Sequence, residues 1–425
     1  MPRDRSPDST LALLRDGYRF VSRRCDRYGT DVFQTRLLLR RTICMRGREA
    51  ARLFYDQDRF QRHGAAPLRL QQTLLGKGGV QSLDGEAHAA RKRLLISLLR
   101  PERIHALADR FEHEWRQRIE LWADVDRVTL YDEVARMLCR AVFAWVGVPL
   151  AQSEVTRRTV EIHAMIEGGG QAGPAHWRAR WTRNRAEQQL AELVEQVRRG
   201  RYRLPEGTPL REIAEHRDHT GRLLKPRAAA VCTLNLLRPT VAVDRFVTFA
   251  ALALHEQPRW RQRLRDDPAM VGPFVHEVRR YYPLFPTAIA RVRRPFDWHG
   301  YHFPRGRRTL LDLYGTDHDP RLWPDPERFD PERFAPERLR GQEIDAFSLI
   351  PQGGGDPYPG HRCPGEWATI ELLERAVALL AGAMTYDVPE QDLRVNLGRM
   401  PTLPASGFVM TNVRAAPVRS SLPTG

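Results

Sequence analysis

The sequence predicts a mainly α-helical protein with small β-sheets, and three patterns predict it. Apolar residues recur at helical spacing through the first half of the chain. A long, largely apolar run from Ala228 to Leu254 reads as one buried helix. Between Ala288 and Leu313 the pattern turns to short segments bounded by turn residues, as in Phe296-Asp297-Trp298-His299-Gly300-Tyr301-His302-Phe303.

In chain order, helical spacing runs from about Pro101 to Val148, with Leu107, Phe111, Trp115, Ile119 and Leu121 among the apolar positions. Gly168-Gly169-Gly170 and Gly173-Pro174 interrupt it. A polar, arginine-rich helix follows, roughly Ala175 to Gly200, and then the apolar Ala228–Leu254 helix, which ends at Gln257-Pro258. Val271 to Tyr282 forms a short helix that stops before Pro283. Beyond the strands lies a proline-rich meander, Asp317 to Pro336. Gly353-Gly354-Gly355 opens an irregular loop that ends at Cys363. Pro364 then starts a helix, Glu366 to Ala383, at a position where its missing N–H costs nothing. There is no internal repeat and no low-complexity linker.

A chain of 425 residues would on length alone divide into two domains. Its 42% hydrophobic and 28% charged residues fit a soluble globular protein. No apolar run approaches the roughly 20 residues that span a bilayer. The polar start, Met1-Pro2-Arg3-Asp4-Arg5-Ser6-Pro7, lacks a signal-peptide core, so a cytoplasmic location is expected. The five cysteines are scattered, without a CxxC pair, which argues against a disulfide framework and a structural zinc site. His255-Glu256 and His276-Glu277 lack the second histidine of a zinc hydrolase. The net charge of +16 comes from arginines spread along the chain, with no nucleic-acid-binding motif beside them. They are read as a solvated basic surface that would steer an anionic substrate.

Gly360-His361-Arg362-Cys363-Pro364-Gly365-Glu366 is the most informative segment. A cysteine directly before a helix N-terminus gains thiolate stabilisation from free N–H groups and the helix dipole. Glycines beside it let backbone approach a flat cofactor. The pattern favours a ligand or nucleophile over an inert buried thiol.

Gly360-x-Arg362-Cys363-Pro364-Gly365 resembles the haem-ligand loop of the cytochrome P-450 superfamily. The resemblance implies haem b, held with Cys363 as the thiolate ligand of the iron. Two further segments are similar to that family's: Glu277-Val278-Arg279-Arg280 to its Glu-x-x-Arg helix, and Phe329-Asp330-Pro331-Glu332-Arg333-Phe334 to its meander. Glu277 and Arg280 share a helix face, and one carboxylate between Arg280 and Arg333 would make a locked charge network. The resemblance implies one triangular haem domain over residues 1–425 rather than two. The sequence departs from the family where the loop opens, with Pro351-Gln352-Gly353-Gly354-Gly355 in place of the usual aromatic. By position, the family's propionate partners fall on Arg91 or Lys92, Arg291 and His361, with His88 close by. Buried carboxylates need such partners.

Arg238-Pro239 interrupts the apolar helix. A lone arginine there is expensive unless it meets an anion, reaches water or pairs with Asp244. Pro239 removes a helical hydrogen bond and kinks the helix. Ordinary members of the superfamily carry an acid and a threonine here as a proton relay. Arg238 is a poor proton donor and Pro239 has no N–H, but a guanidinium can grip a carboxylate. The pair resembles the fatty-acid peroxygenase branch. There the substrate carboxylate docks on the arginine and supplies the missing general acid–base for cleaving the O–O bond of hydrogen peroxide. That implies a fatty acid and hydrogen peroxide as reactants, with no obligatory redox partner.

Leu74 to Gly85 also resembles that branch and places Gln81 near the substrate's reactive end. Relatives with histidine there tend towards decarboxylation to terminal alkenes, and those with glutamine towards hydroxylation. Glutamine hydrogen-bonds but exchanges no proton. The expectation is α/β-hydroxylation, with decarboxylation minor. The alternatives are a reductase-dependent monooxygenase of the same superfamily and a non-catalytic haem sensor or carrier.

Overall fold

The computed structural model of the chain describes residues 1–170, 173–341 and 344–416. The strands are β1 (Val32–Leu37), β2 (Arg40–Met45), β3 (Phe60–Gln61), β4 (Val128–Thr129), β5 (Thr287–Val292), β6 (Phe296–Trp298), β7 (Tyr301–Phe303), β8 (Arg308–Asp312), β9 (Met384–Asp387) and β10 (Val409–Ala415). The main sheet has the order β1-β2-β8-β5-β3, antiparallel except for the β2–β8 pair. A smaller sheet is ordered β4-β10-β9, and β6 and β7 form a hairpin.

β1 and β2 correct the reading of the first half as helical. They pair Val32 with Met45 through Leu37 with Arg40. Their turn residues, Leu38 and Leu39, have φ values of 51° and 59°. Turns of that conformation are normally signalled by Asn or Gly, so two leucines hide the hairpin.

The Pro101–Val148 region holds two helices, Pro101–Trp122 and Leu130–Val146, with β4 between them. Leu107, Phe111, Trp115 and Ile119 are buried as expected, but Leu121 is 56% exposed and Trp122 takes the inward position. Three residues on from Ile119 returns to the buried face, whereas two residues on points away from it. The arginine-rich helix spans Pro174–Arg198.

The helix expected from Ala228 to Leu254 is also two helices, Pro226–Val241 and Asp244–Glu256. Pro239 has no N–H for the helix ladder. After it the Val243 N–H turns back to the Thr240 carbonyl (3.2 Å), and the chain restarts at Asp244. The last long helix, Glu366–Ala378, ends in a wider turn, Leu379–Ala383.

The main core joins these helices through Phe111, Trp115, Leu138, Phe246, Phe249 and Leu373. A second apolar cluster (Ile43, Phe54, Phe60, Phe303, Leu311) covers the main sheet. Among the described residues, no helix is long and apolar enough to cross a membrane.

Candidate active site

One cavity lies where the Pro226–Val241 helix, the loop before residue 83, the start of β5 and the cysteine segment meet. It encloses about 1500 Å³ of empty space, its open mouth included. Its wall brings together Cys363, Arg238, Pro239, Gln81, His88, Lys92 and His361. The remaining lining is largely apolar, from Leu74, Leu75, Val80, Val243, Phe246, Leu284 and Phe285.

Cys363 is fixed by its backbone, whose N–H donates to the Gln352 carbonyl (3.0 Å). Gln352 is held in turn: its Nε2 donates to Thr369 Oγ1 (3.0 Å), and its Oε1 accepts from Arg279 Nε (3.3 Å). Gln352 thus braces the cysteine where the family has an aromatic. Arg279 also pairs with Glu366, and Arg362 Nε binds the same carboxylate at 2.5 Å. Burial pushes the Cys363 thiol above its ordinary range, against a Gly365 N–H and the Lys92 and Arg238 cations. The helix N-terminus alone therefore does not secure a thiolate, and a bound metal cation would.

The glycines divide in role. A Cβ at Gly353 would strike Tyr55 Oη (2.9 Å), and one at Gly360 the Asp356 carbonyl (2.4 Å), so these two serve the loop's own packing. A Cβ at Gly365 would meet only Cys363 Sγ within 4 Å, which leaves open space beside the sulfur.

Arg238 is 4% exposed, and its Nε has no hydrogen-bond partner. Among the described residues no carboxylate lies within ion-pair distance of it. Asp244 is already engaged, by His163 Nε2 (2.6 Å) and Arg245 (3.1 Å). Burial pulls the guanidinium down to about 9, and Arg183 adds to the effect. Thr240 Oγ1 donates to the Leu236 carbonyl (2.8 Å) and is tied to the backbone. Gln81 accepts a long bond from Asn235 Nδ2 (3.4 Å), and Asn235 Oδ1 is buried without a partner.

At one edge of the cavity, His88 and His361 stack with ring centroids 3.9 Å apart. Burial lowers His88 to about 4 and His361 to about 3, and a carboxylate facing them would favour their charged forms. His361 Nε2 lies 3.7 Å from Asp84. Burial opposes ionisation of Asp84, but that histidine and the N–H groups of Arg62 (2.9 Å) and His63 (2.8 Å) hold it well below the usual range.

Lys92 lines the cavity and donates from Nζ to the Arg362 carbonyl; burial lowers it to about 8. Arg91 is buried but does not line the cavity, and its Nη1 has no hydrogen-bond partner. Arg291 is also displaced from its expected place. It lies four residues along β5 from the lining Thr287, about 13 Å of strand, with Nε bound to the Gly306 carbonyl (3.0 Å).

Away from the cavity, Glu277 takes both Nε and Nη2 of Arg280 (2.7 and 2.8 Å), Arg333 Nε (3.3 Å) and the Asp330 N–H (2.7 Å). Arg280 also binds the carbonyls of Asp317 and Pro326, which locks the meander.

Several site residues escaped the sequence reading. Asn235 stands one turn before Arg238 on the same helix face and so had a spacing signal, whereas Arg362 precedes the helix that Glu366 opens and their pairing had none. Arg62 and Arg183 had none. Arg62 is buried over the Phe54 ring (4.3 Å) beside Asp84, and burial lowers it to about 10. Arg183 is held by Glu187 (2.7 Å) and donates to the carbonyls of Thr73 (3.1 Å) and Leu74 (2.9 Å).

A thiol that opens onto a largely apolar cavity, with an ammonium and two imidazoles in its wall, fits a haem. Cys363 would hold its iron, and Lys92, His88 and His361, which line the cavity, would face its carboxylates. The arrangement defines a haem-thiolate enzyme, and known proteins agree with that class. The profile of the family described as cytochrome P450 matches residues 256–369.

Three solved structures are similar over nearly the whole chain. A variant of cytochrome P450SP alpha (CYP152B1) is 46% identical, with 97% of this chain and 100% of that one covered and a TM-score of 0.93. Cytochrome P450EX alpha (CYP152N1) with myristic acid is 42% identical, covering 98% and 99%, with a TM-score of 0.94. A variant of cytochrome P450 OleT in complex with arachidonic acid is 36% identical, covering 99% and 100%, with a TM-score of 0.95. The chain belongs to the cytochrome P450 family, in its CYP152 branch, and is an oxidoreductase whose cofactor is haem b.

Proposed function

We propose that this enzyme, acting as one haem domain over residues 1–425, uses hydrogen peroxide to hydroxylate a fatty acid at the α or β carbon. The observation that carries the reading is the buried, unpaired guanidinium of Arg238 in the same cavity as Cys363. A buried cation without an anion is costly, and a carboxylate gripping it recovers that cost as binding energy. Myristic and arachidonic acids, present in two of the similar structures, each offer a carboxylate on an apolar chain. The apolar lining suits that chain.

Haem held by Cys363 supplies the site at which peroxide is activated and oxygen is delivered to carbon. Arg238 seats the carboxylate, which orients the α and β carbons and brings the acid–base group that Pro239 and the tied Thr240 hydroxyl do not provide. The carboxylate takes a proton from one peroxide oxygen and returns it to the other, so that R–H and H₂O₂ become R–OH and H₂O. Gln81 can hydrogen-bond beside the reacting carbons but cannot exchange a proton, which favours hydroxylation over loss of CO₂.

The test is product analysis by mass spectrometry, with haem-loaded protein, hydrogen peroxide and myristic acid and no reductase. Hydroxymyristic acids should form. Arg238→Ala should lose about 10²–10³-fold in turnover, the scale of losing a positioned charge at a reacting centre. Unchanged turnover in Arg238→Ala, or product only when electrons are supplied, would refute the reading.

A further inference from the structure

The first turns of the Pro174–Arg198 helix present an unusual outer face. Trp177 and Trp181, one turn apart, are 64% and 60% exposed. Arg180 lies 5.9 Å over the Trp177 ring and Arg185 5.4 Å over the Trp181 ring. Arg178 and Arg185 are exposed on the same stripe. Among the described residues, Arg178, Arg180 and Arg185 have no acid within ion-pair distance. Beside them Lys77 and Arg180 share a polar depression with Gln71, Arg227 and Glu187, whose carboxylate is taken up by Arg183 and Arg227.

We propose that this face docks the protein on an anionic lipid bilayer, the indoles entering the headgroup layer and the arginines meeting lipid phosphates. Exposed tryptophans flanked by unpaired cations match the chemistry of a membrane surface, where the ring finds an apolar layer and its N–H stays wet. A second copy of the chain would bring the same arginines and the same net charge of +16 against them.

The face also adjoins the active-site wall. Arg183, on the buried side of the same helix, binds the carbonyls of Thr73 and Leu74, and Leu74 and Leu75 line the cavity. Docking here sets the cavity's wall loop next to the lipid phase. This goes beyond the proposed reaction and stands apart from it.

The test is co-sedimentation of the full chain with vesicles of equimolar phosphatidylglycerol and phosphatidylcholine, with phosphatidylcholine vesicles as control and no substrate or peroxide present. The native protein should bind the mixed vesicles, bind the control weakly, and release as salt rises. Arg178→Ala combined with Arg185→Ala should weaken binding roughly 25-fold, from about 1 kcal/mol per cation. Trp177→Ser combined with Trp181→Ser should abolish the lipid-induced blue shift in indole emission, at an unchanged melting temperature. Three results would each overturn the proposal: no binding by the native protein, native-level binding by both double variants, or light scattering that shows a dimer lost in the tryptophan variant. Because neither reactant is present, vesicle binding and the peroxide reaction succeed or fail separately.

Discussion

Arg238 concentrates the conflict between stability and function. Its guanidinium sits in an apolar wall with Nε unpaired, and the fold carries that desolvation cost while the site is empty. Arg238→Leu should therefore stabilise the substrate-free, haem-loaded protein by about 1–3 kcal/mol in denaturant unfolding, while it removes the proposed carboxylate grip. A loss of stability instead would mean that the guanidinium is satisfied in the empty enzyme. Arg238 was legible in the sequence because a charge inside an apolar helix stands out. Its isolation was not, since that depends on Asp244 being taken up by His163 and Arg245. The choice between Arg91 and Lys92 had the same character. Adjacent helix positions point about 100° apart, and only packing decides which one meets the cavity.

Between elements, the decisive contacts link segments far apart in sequence. Arg183 fastens the arginine-rich helix to the loop that carries Leu74, Leu75 and Gln81. Arg183→Ala would free two carbonyls and leave Glu187 with Arg227 as its partner. The expected cost is about 2–4 kcal/mol in unfolding, with KM for myristic acid rising more than kcat falls, because the loop walls the cavity and takes no part in bracing Cys363. Steady-state kinetics across myristic acid concentrations check this, and an unchanged KM would remove the loop-clamping role. The hairpin of β1 and β2 was hidden at this scale by its two-leucine turn. The break after Pro239 was expected only as a kink, because the sequence shows the missing N–H but not where the chain recovers.

For the molecule as a whole, buried ionisable groups pull stability in opposite directions with pH. Burial pushes His318 down to about 3 and Asp312 up to about 7. A histidine with a depressed folded pKa contributes stability above its unfolded value near 6.5, and that contribution is lost as pH falls towards 3. Asp312 has the reverse sign: its cost grows as pH rises from about 4 to 7. A single profile of the native protein would mix the two. The difference between native and His318→Gln isolates one proton. The native protein should lose about 1.4 kcal/mol more than the variant per pH unit between 6.5 and 4. Parallel pH profiles from calorimetric melts would show that His318 is not buried neutral.

Sequence was sufficient wherever chemistry is written in a few adjacent residues. The cysteine before a helix pointed to a ligand or nucleophile, the Glu277–Arg280 spacing to a shared helix face, and Arg238 to a charge in need of a partner, while haem, the meander brace and a substrate carboxylate were what the family resemblance implied. Tertiary structure decided what surrounds each of those residues. It left Arg238 without a counter-ion, brought His88 and His361 together at one edge of the cavity, moved Arg291 away from it, and tied Arg183 to the wall loop. The reason is that desolvation and pairing depend on neighbours within a few ångströms, and here those neighbours come from segments up to hundreds of residues apart.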